Sequence, residues 1–324
     1  MKYIHLAEAN IRELPFYLAM EEFVARHLDE EDAFFMWQVD PTVIFGRNQL
    51  IENEVNLAYC HEKGIHTYRR KSGGGCVYAD MSNIMFSYIT KDENVRFTFD
   101  KYIHMVVDVL RQLGIDAQSS GRNDITINEK KVSGNAFYHI PGKSIVHGTM
   151  LYDTDMENMV RAITPSNEKL ISKGVESVRQ HVTTLNNYID ISLNEFKDFV
   201  RDNLCDGIIE LNDEDVKVIE EIESEYLTED FIYGNNPRYS INRKQRIEGA
   251  GDIDVRIELK NNKIKEVNLM GDYFLVGDLG DELLDKLIGI DYTPEAVKEA
   301  LKDVKLENII LNLQLEQFIK ILFQ

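Results

Sequence analysis

Three consecutive glycines, Gly73–Gly75, are the feature that most constrains this chain. They follow the cations of Arg69–Lys71 and the hydroxyl of Ser72, and they precede the β-prone pair Val77-Tyr78. Glycine adopts backbone angles that a Cβ forbids, so successive N–H groups can converge on one anion while arginine adds a planar fork of donors. A triple glycine alone is as typical of a flexible turn. Together with the cations, it predicts an anion cradle leading into a strand.

Composition limits the classes of protein to which the chain can belong. At 324 residues with 44% hydrophobic content it has room for a sizeable core and, by length, for two domains. A net charge of −20 argues against a nucleic-acid partner, because binding to polyphosphate requires cations that release counterions. No apolar run approaches the roughly 20 residues of a membrane span, and the early acid Glu8 argues against a signal sequence. The sequence therefore predicts a cytoplasmic protein with no membrane contact.

The three cysteines predict neither disulfides nor a zinc site. Cys60, Cys76 and Cys205 are too few and too scattered for a disulfide framework, and no pair has the close spacing of metal ligands. We expect three free thiols.

Periodicity predicts alternating helices and strands in the first half of the chain. An apolar period near 3.6 predicts a helix over residues 13–28, and β-branched and aromatic runs predict strands. Asp124–Asn128 and Val132–Ala136 predict a hairpin that places Lys131 at a strand entrance. The other predicted elements are strands at 33–39, 42–45, 76–78 and 84–89 and helices at 51–63 and 100–113.

The second half predicts a smaller α+β region. The acid-rich residues 195–230 show helical spacing, which is typical of a solvated helical face and less often of an acidic docking surface. Residues 231–249 predict an irregular linker. Alternating residues at 252–259 and 264–270, around Asn261-Asn262, predict a hairpin, and helices are expected at 280–289, 294–302 and 305–322.

Further motifs give the chain a family resemblance. Across roughly residues 14–185 they occur in the same order as in lipoate–protein ligases, and together they resemble that family. The motifs are Gly46–Gln49, the glycine segment, Ser120–Ile125, Lys131–Phe137, His147–Leu151 and Lys173–Arg179.

The resemblance implies a fold and a division into domains. The expected fold is α/β (α+β), a mixed sheet flanked by helices as in biotin and lipoate ligases, with a small C-terminal α+β accessory domain. The implied domains are residues 1–240 for catalysis, 241–248 as a linker and 249–324 as the accessory domain.

The resemblance also implies roles for individual residues. Lys131 becomes the catalytic lysine, which contacts both ATP and lipoate, whereas Lys130 stays a surface residue. The remaining ATP-binding residues are Arg70, Gly75, Cys76, Val77, Tyr78, Asn83 and Asp124. The remaining lipoate-binding residues are Ser72, Gly73, Gly74, His147, Gly148 and Thr149. Asn123 and Asp124 are candidate Mg²⁺ ligands, and the apolar candidates for the acyl pocket are Phe45, Val77, Phe137 and Met150.

The implied activity is ATP-dependent formation of lipoyl-AMP from free lipoate, followed by lipoyl transfer to a lysine. The implied acceptors are the apo lipoyl domains of 2-oxoacid dehydrogenase acyltransferase subunits and the glycine-cleavage H protein. Two alternatives stay open: a cysteine-dependent octanoyl or lipoyl transferase, and a non-catalytic lipoate binder. The chain departs from the family pattern at Ala79, where a histidine is usual, and at Cys76, where alanine is common.

Overall fold

The computed structural model describes residues 1–7, 11–49, 51–91, 94–121, 123–163, 180–233, 241–260 and 263–323, with the backbone alone at 52, 53, 95 and 96. Contacts divide the chain into two units. The first comprises residues 1–45, 51–70 and 76–232, and the second comprises 46–50, 71–75 and 233–324. Two short loops from the N-terminal half therefore cluster with the C-terminal part. The bounds of the catalytic domain, linker and accessory domain stay a prediction.

The first unit alternates strands and helices. Its strands are β1 (Lys2–Leu6), β2 (Asp32–Trp37), β3 (Thr42–Phe45), β4 (His66–Arg69), β5 (Val77–Ala79), β6 (Asn83–Thr90), β7 (Ala117–Ser119), β8 (Asp124–Ile127), β9 (Lys130–Ile140), β10 (Lys143–Leu151) and β11 (Gly207–Leu211). Its helices are α1 (Leu14–His27), α2 (Ile51–Glu54), α3 (Leu57–Lys63), α4 (Val95–Gln112), α5 (Met156–Ala162), α6 (Leu193–Leu204), α7 (Asp213–Tyr226) and α8 (Glu229–Tyr233), with a 3₁₀ turn at Leu185–Asn187.

A mixed eight-stranded sheet organises this unit. Its order is β11-β1-β2-β6-β10-β9-β8-β7, in which β1 pairs in parallel with both β11 and β2, and the other pairs are antiparallel. A separate small sheet has the order β4-β3-β5. The mixed sheet with flanking helices confirms the predicted fold class. No helix among the described residues is both long and apolar enough to cross a bilayer.

Two helices pack against the centre of the large sheet. The helix α1 is buried from Leu14 to Ala25 and contacts β6, β10 and α7, whereas α4 contacts β9 and β10. The side chains of β10 alternate between these layers because successive strand residues point to opposite faces. His147 contacts Glu21 of α1, and its neighbour Gly148 lies beside Tyr102 of α4. The face bearing His147 is called the α1 face below, and the other the α4 face.

The second unit is a three-stranded antiparallel sheet with helices, which confirms the predicted small α+β region. Its strands pair in the order β12-β13-β14, and its buried residues form a hydrophobic cluster of their own. The strands are β12 (Ile241–Ile247), β13 (Gly251–Lys260) and β14 (Lys263–Tyr273). A π-helical turn, Gly280–Leu284, continues into α9 (Asp285–Leu287) and is followed by α10 (Pro294–Ala300), a 3₁₀ turn at Leu306–Asn308 and α11 (Leu315–Phe323).

Several segments differ from their predicted local structure, and the helix predicted at 51–63 is two helices, α2 and α3. Gly207–Leu211, within the predicted acidic helix, is a strand because it pairs with β1, about 200 residues away in sequence, a partner that no local pattern reveals. Ile241–Ile247, predicted to be irregular, is a strand with a single neighbour, so its polar side chains can remain in solvent. The predicted helix at 305–322 is interrupted where Asn312 takes a φ of 61°.

Several predictions concern residues outside the described ranges. These are the motif Lys173–Arg179, Arg122 within the motif Ser120–Ile125, the turn Asn261-Asn262, and the part of the predicted linker at 234–240.

Candidate functional site

The hairpin β8–β9 positions Lys131 through its turn and through a β-bulge. Asn128 and Glu129 form the turn with positive φ values of 50° and 64°. Thr126 pairs with Lys131 and Ile125 pairs with Ser133, so Val132 is an extra residue on β9. The bulge lets Lys131 share a face with Gly134, although an uninterrupted strand would place residues three apart on opposite faces.

The ammonium of Lys131 lies over Gly134 and beside Asp124. Its Nζ is 2.8 Å from Asp124 Oδ1, and the two side chains are 38% and 29% exposed. A Cβ at position 134 would lie 2.7 Å from that Nζ, so the glycine provides the space for the ammonium. The Lys131 carbonyl accepts a 2.8 Å hydrogen bond from the Thr183 N–H, which anchors the backbone at the same residue. The result is a held lysine whose charged end remains accessible.

Asn123 and Asn135 lock the start of the hairpin. The Asn123 carbonyl accepts from both the backbone N–H and the Nδ2 of Asn135, at 3.0 and 2.9 Å, and Asn123 Nδ2 donates to the Asn135 carbonyl at 3.2 Å. The Asn123 amide group is therefore engaged in structure through its nitrogen. Among the described residues no group of three or more His, Cys, Asp or Glu side chains could hold a metal ion.

Gly148 leaves space for Asn135. A Cβ at Gly148 would lie 1.8 Å from Asn135 Oδ1 and 3.1 Å from the Tyr102 hydroxyl, both on the α4 face. Asn135 is 3% exposed, so its side chain has little freedom to withdraw. This packing explains the need for glycine at 148, and the predicted lipoate-binding role of the residue stays a prediction.

We expect Gly148→Ala to destabilise the protein by about 2–3 kcal/mol, because the new methyl group displaces Asn135 and breaks its hydrogen bond to Asn123. Urea unfolding of the purified variant measures this change. The double variant Gly148→Ala/Asn135→Ala lacks the side chain that the new methyl group would displace. Its loss of stability should therefore be smaller than the sum of the losses in the two single variants. Strict additivity of the two substitutions would contradict this explanation.

Thr149 and His147 lie on the α1 face of the sheet, as Lys131 does. Thr149 pairs with Gly134, and its Oγ1 is 3.4 Å from both the backbone nitrogen and the carbonyl oxygen of that glycine. His147 pairs with Ala136, one step further along the same face. The structure thus places three predicted site residues, Lys131, His147 and Thr149, on one face of adjacent strands.

His147 belongs to a buried polar network that the sequence did not reveal. Its Nδ1 is 2.9 Å from Glu21 Oε2, and Ser87 Oγ donates to Glu21 Oε1 at 2.6 Å. Trp37 Nε1 in turn donates to Ser87 Oγ at 2.9 Å. The Glu21 carboxyl group thus connects His147 of β10 to Ser87 of β6. The available sequence signal was the pair of acidic residues Glu21-Glu22 inside the apolar helix α1.

Both arginines before the glycines are buried. Arg70 is 5% exposed, and its Nη1 donates to the Ile44 carbonyl at 3.0 Å. The guanidinium of Arg69 lies 4.6 Å from the centre of the Phe45 ring, and its Nε donates to the Ile232 carbonyl at 2.9 Å. Arg69 is therefore packed against the protein through both its guanidinium and its Nε.

The nucleotide platform predicted after the glycines forms regular structure. Val77 and Tyr78 in β5 pair with Ile44 and Val43 of β3, and Tyr78 is buried. The side chain of Asn83, at the start of β6, accepts a short hydrogen bond from Thr154 Oγ1. These contacts hold Val77, Tyr78 and Asn83 in place.

The four candidates for the acyl pocket do not lie together. Phe137 pairs with Val146 and Met150 with Ser133, which places both on the α4 face, opposite Lys131. Phe45 belongs to the hydrophobic cluster around α3, and Cys76 and Val77 are only partly buried. Phe137 and Met150 therefore lie on the sheet face opposite the Lys131 ammonium, and the acyl pocket stays a prediction.

The glycine loop belongs to the second unit, as part of the segment 71–75. Gly74 has a φ of 86°, which favours glycine, and its N–H donates to the Tyr273 carbonyl at 3.0 Å. Ser72 is fully buried, and its carbonyl accepts from the Arg47 N–H at 2.9 Å. The loop is therefore an ordered turn bonded to neighbouring backbone, in contrast to a flexible glycine linker.

Comparisons with known proteins agree with these observations. Residues 14–205 match the lipoyl protein ligase A/B catalytic domain, and residues 236–322 match the bacterial lipoate protein ligase C-terminus. The chain is 34% identical to lipoate-protein ligase LplJ of Bacillus subtilis, covering 97% of this chain and 98% of that protein.

Two solved structures are similar in fold. LipL1 of P. falciparum, in complex with lipoate, has a TM-score of 0.76 and 20% identity and covers 98% of this chain and 97% of its own. A bipartite lipoate protein ligase from Thermoplasma acidophilum, solved in a study with its E2 lipoyl domain, has a TM-score of 0.65 and 26% identity and covers 74% of this chain and 98% of its own.

Proposed function

The chain belongs to the lipoate–protein ligase family, and we propose that it activates free lipoate with ATP and transfers the lipoyl group to a lysine of an acceptor protein. Lipoate and ATP would give lipoyl-AMP and pyrophosphate, and the acceptor amine would then displace AMP. The observation that carries this proposal is the accessible ammonium of Lys131, held over Gly134 beside Asp124, in a chain related to the ligases over nearly its full length.

The chemistry requires positive charge at one point. A carboxylate is a poor acylating agent because its oxygen is a poor leaving group and its charge repels a nucleophile. Forming the acyl-adenylate gathers negative charge on the α-phosphate and on the attacked carbonyl oxygen, and fixed cations stabilise that charge. A lysine ammonium has three donors and can bridge both oxygens.

Lys131 meets this requirement through its surroundings. Asp124 keeps the ammonium in place by a 2.8 Å ion pair, and both side chains retain solvent contact. Phosphate oxygens can therefore replace part of the hydration shell of the ammonium without a large rearrangement. We propose that Lys131 contacts the carbonyl and the α-phosphate in both half-reactions.

We propose that Arg70, Asn83 and Asp124, with the backbone of Gly75–Tyr78, contact the nucleotide. Mg²⁺ commonly binds one or two carboxylates together with substrate phosphates. Asp124 supplies one such carboxylate, and its ion pair with Lys131 would be shared with the metal. Mg²⁺ bound with ATP would neutralise phosphate charge, and Asn123 is the weaker candidate because its amide nitrogen is bound to backbone.

We propose that His147 and Thr149, together with Ser72, Gly73, Gly74 and Gly148, contribute to lipoate binding. The Glu21 carboxylate fixes the orientation of the His147 ring on the face that Lys131 and Thr149 share. His147 would then contact the substrate and would not act as an acid or base.

We propose that the acceptors are apo lipoyl domains of 2-oxoacid dehydrogenase acyltransferase subunits and the glycine-cleavage H protein. The Thermoplasma ligase, which was studied together with an E2 lipoyl domain, supports the first class. We also propose that the protein is cytoplasmic.

A single incubation tests the proposal. Purified protein, lipoate, MgATP and an apo lipoyl domain should give a mass increase of one lipoyl group on the domain and release one pyrophosphate per transfer. Omitting ATP should abolish the mass increase. Lipoate binding without pyrophosphate release would instead identify a non-catalytic binder.

The cysteine-dependent alternative conflicts with the thiols of this chain. Burial raises the pKa of Cys76 to about 12 and those of Cys60 and Cys205 to about 11. A thiol reacts as its thiolate, and these pKa values leave almost no thiolate at neutral pH. None of the three therefore resembles an activated acyl carrier.

We expect the variant Cys76→Ser to retain most of its ATP-dependent ligation, because only the backbone of Cys76 is assigned to the nucleotide. Lipoylation of an apo domain, followed by mass spectrometry, measures this. Complete loss of transfer, together with a trapped acyl group on wild-type Cys76, would support the thiol mechanism.

A further inference from the structure

The end of strand β14 binds both loops that the second unit takes from the N-terminal half of the chain. The Gly271 N–H donates to the Asn48 carbonyl at 2.7 Å, and the Tyr273 carbonyl accepts from the Gly74 N–H at 3.0 Å. The Arg47 N–H donates to the Ser72 carbonyl at 2.9 Å and joins the two loops to each other. Three backbone hydrogen bonds thus connect the loops and β14.

Two glycines of the loop lie in direct contact with β14. A Cβ at Gly73 would lie 2.3 Å from the Tyr273 carbonyl oxygen, so no side chain fits there. A Cβ at Gly75 would lie 3.2 Å from Asp272 Oδ2 and 3.7 Å from Oδ1. The carboxylate of Asp272 therefore lies against the last of the three glycines.

A carboxylate at this position bears directly on nucleotide binding. Glycine loops favour anions, and the proposed function assigns the backbone of Gly75 to ATP, whose phosphates are anions. Asp272 is itself an anion of similar oxygen geometry. Two anions at contact distance repel each other, so a phosphate and the Asp272 carboxylate cannot both occupy the space beside Gly75.

We propose that Asp272 is an internal competitor of ATP: in the nucleotide-free protein its carboxylate occupies the place on the glycine loop that a phosphate takes, and ATP binding displaces it. This inference rests on the proposed function of the loop. The bond from the Gly74 N–H to the Tyr273 carbonyl supports it, because it holds the loop against the part of β14 that carries Asp272. Asp272 thereby lowers the affinity for ATP.

Equilibrium titration of the full-length protein with ATP in the presence of Mg²⁺ tests the inference. The nearly isosteric variant Asp272→Asn should bind ATP about five- to tenfold more tightly than wild type, because one contact repulsion is removed. The variant Asp303→Asn makes the same chemical change at an exposed residue of the same unit and should leave the dissociation constant unchanged. Asp272→Ser is a second neutral variant should Asp272→Asn fold poorly.

The outcomes separate this inference from the proposed function. If wild type releases pyrophosphate with lipoate and ATP, but Asp272→Asn binds ATP equally well or more weakly, Asp272 is an anchor of the loop and the competition is refuted. A parallel titration with lipoate shows which ligand Asp272 competes with. If Asp272→Asn binds lipoate more tightly than wild type does but binds ATP equally well, competition with phosphate is refuted. A wild-type protein that neither binds ATP nor releases pyrophosphate would refute the proposed function itself, and this inference with it.

Discussion

Replacing Lys131 with alanine should lower both lipoate-dependent pyrophosphate release and lipoyl transfer by about a hundred- to a thousandfold. The ammonium is the cation assigned to the carbonyl and the α-phosphate, and loss of one preorganised donor to a developing oxyanion commonly costs two to three orders of magnitude. Transfer from chemically prepared lipoyl-AMP tests the second half-reaction separately. Stability should change little, because the side chain is 38% exposed and its backbone bond to Thr183 is retained.

Two further variants test whether the rate depends on the position of the Lys131 ammonium or only on the presence of a positive charge in the hairpin. Lys130→Ala removes the same charge one residue earlier, on the turn side of the hairpin, and should keep near wild-type rates. Gly134→Ala retains the ammonium but places a methyl group 2.7 Å from its present position, so the rate should fall while the lysine remains. Equal losses in Lys130→Ala and Lys131→Ala would contradict the assignment of Lys131.

Replacing Glu21 with alanine should destabilise the protein by about 3–5 kcal/mol. Glu21 is fully buried and accepts hydrogen bonds from His147 and Ser87, so its removal leaves two buried donors unpaired and a cavity between α1 and the sheet. Chemical denaturation measures the loss. The orientation of His147 should also be lost, which would weaken lipoate binding beyond the effect on stability.

A graded series identifies the source of this effect. Glu21→Gln keeps the shape but can accept through only one oxygen, so it should cost less than Glu21→Ala. Ser87→Ala removes one of the two donors, and its effect should be smaller in the Glu21→Ala background than in wild type. If Glu21→Ala unfolds at the same denaturant concentration as wild type, the network does not contribute to stability.

The sequence predicted those elements whose formation depends on local pattern. The helix α1 and the strands β2 and β3 were correctly placed, and so was the end of the helix predicted at 51–63, where Gly64 follows α3 with a φ of 65°. By contrast, β11 depends on pairing with β1, and β12 on pairing with β13, so composition alone suggested a helix and a linker. The helix α4 begins five residues before the predicted start, because Asn94 accepts from the Phe97 N–H at 3.1 Å and caps it.

The site could be predicted only as far as its motifs are contiguous in sequence. Lys131 and His147 were identified from short segments, and the structure places both on the α1 face. The bulge at Val132 was not predicted, since it depends on the register between β8 and β9. Glu21 was missed because its function depends on His147, 126 residues away. Apolar character did not indicate that Phe137 and Met150 lie on the sheet face opposite Lys131, and the acyl pocket stays a prediction.

The discontinuous second unit affects how this protein could be taken apart. A gene divided near residue 240 would yield two polypeptides, and the longer one would carry the segments 46–50 and 71–75 without their hydrogen-bonding partners Gly271 and Tyr273. Ordering of the glycine loop would then depend on reassociation of the two fragments, and so on their concentrations. We therefore expect that the two parts of the chain on either side of residue 240 do not fold independently of each other.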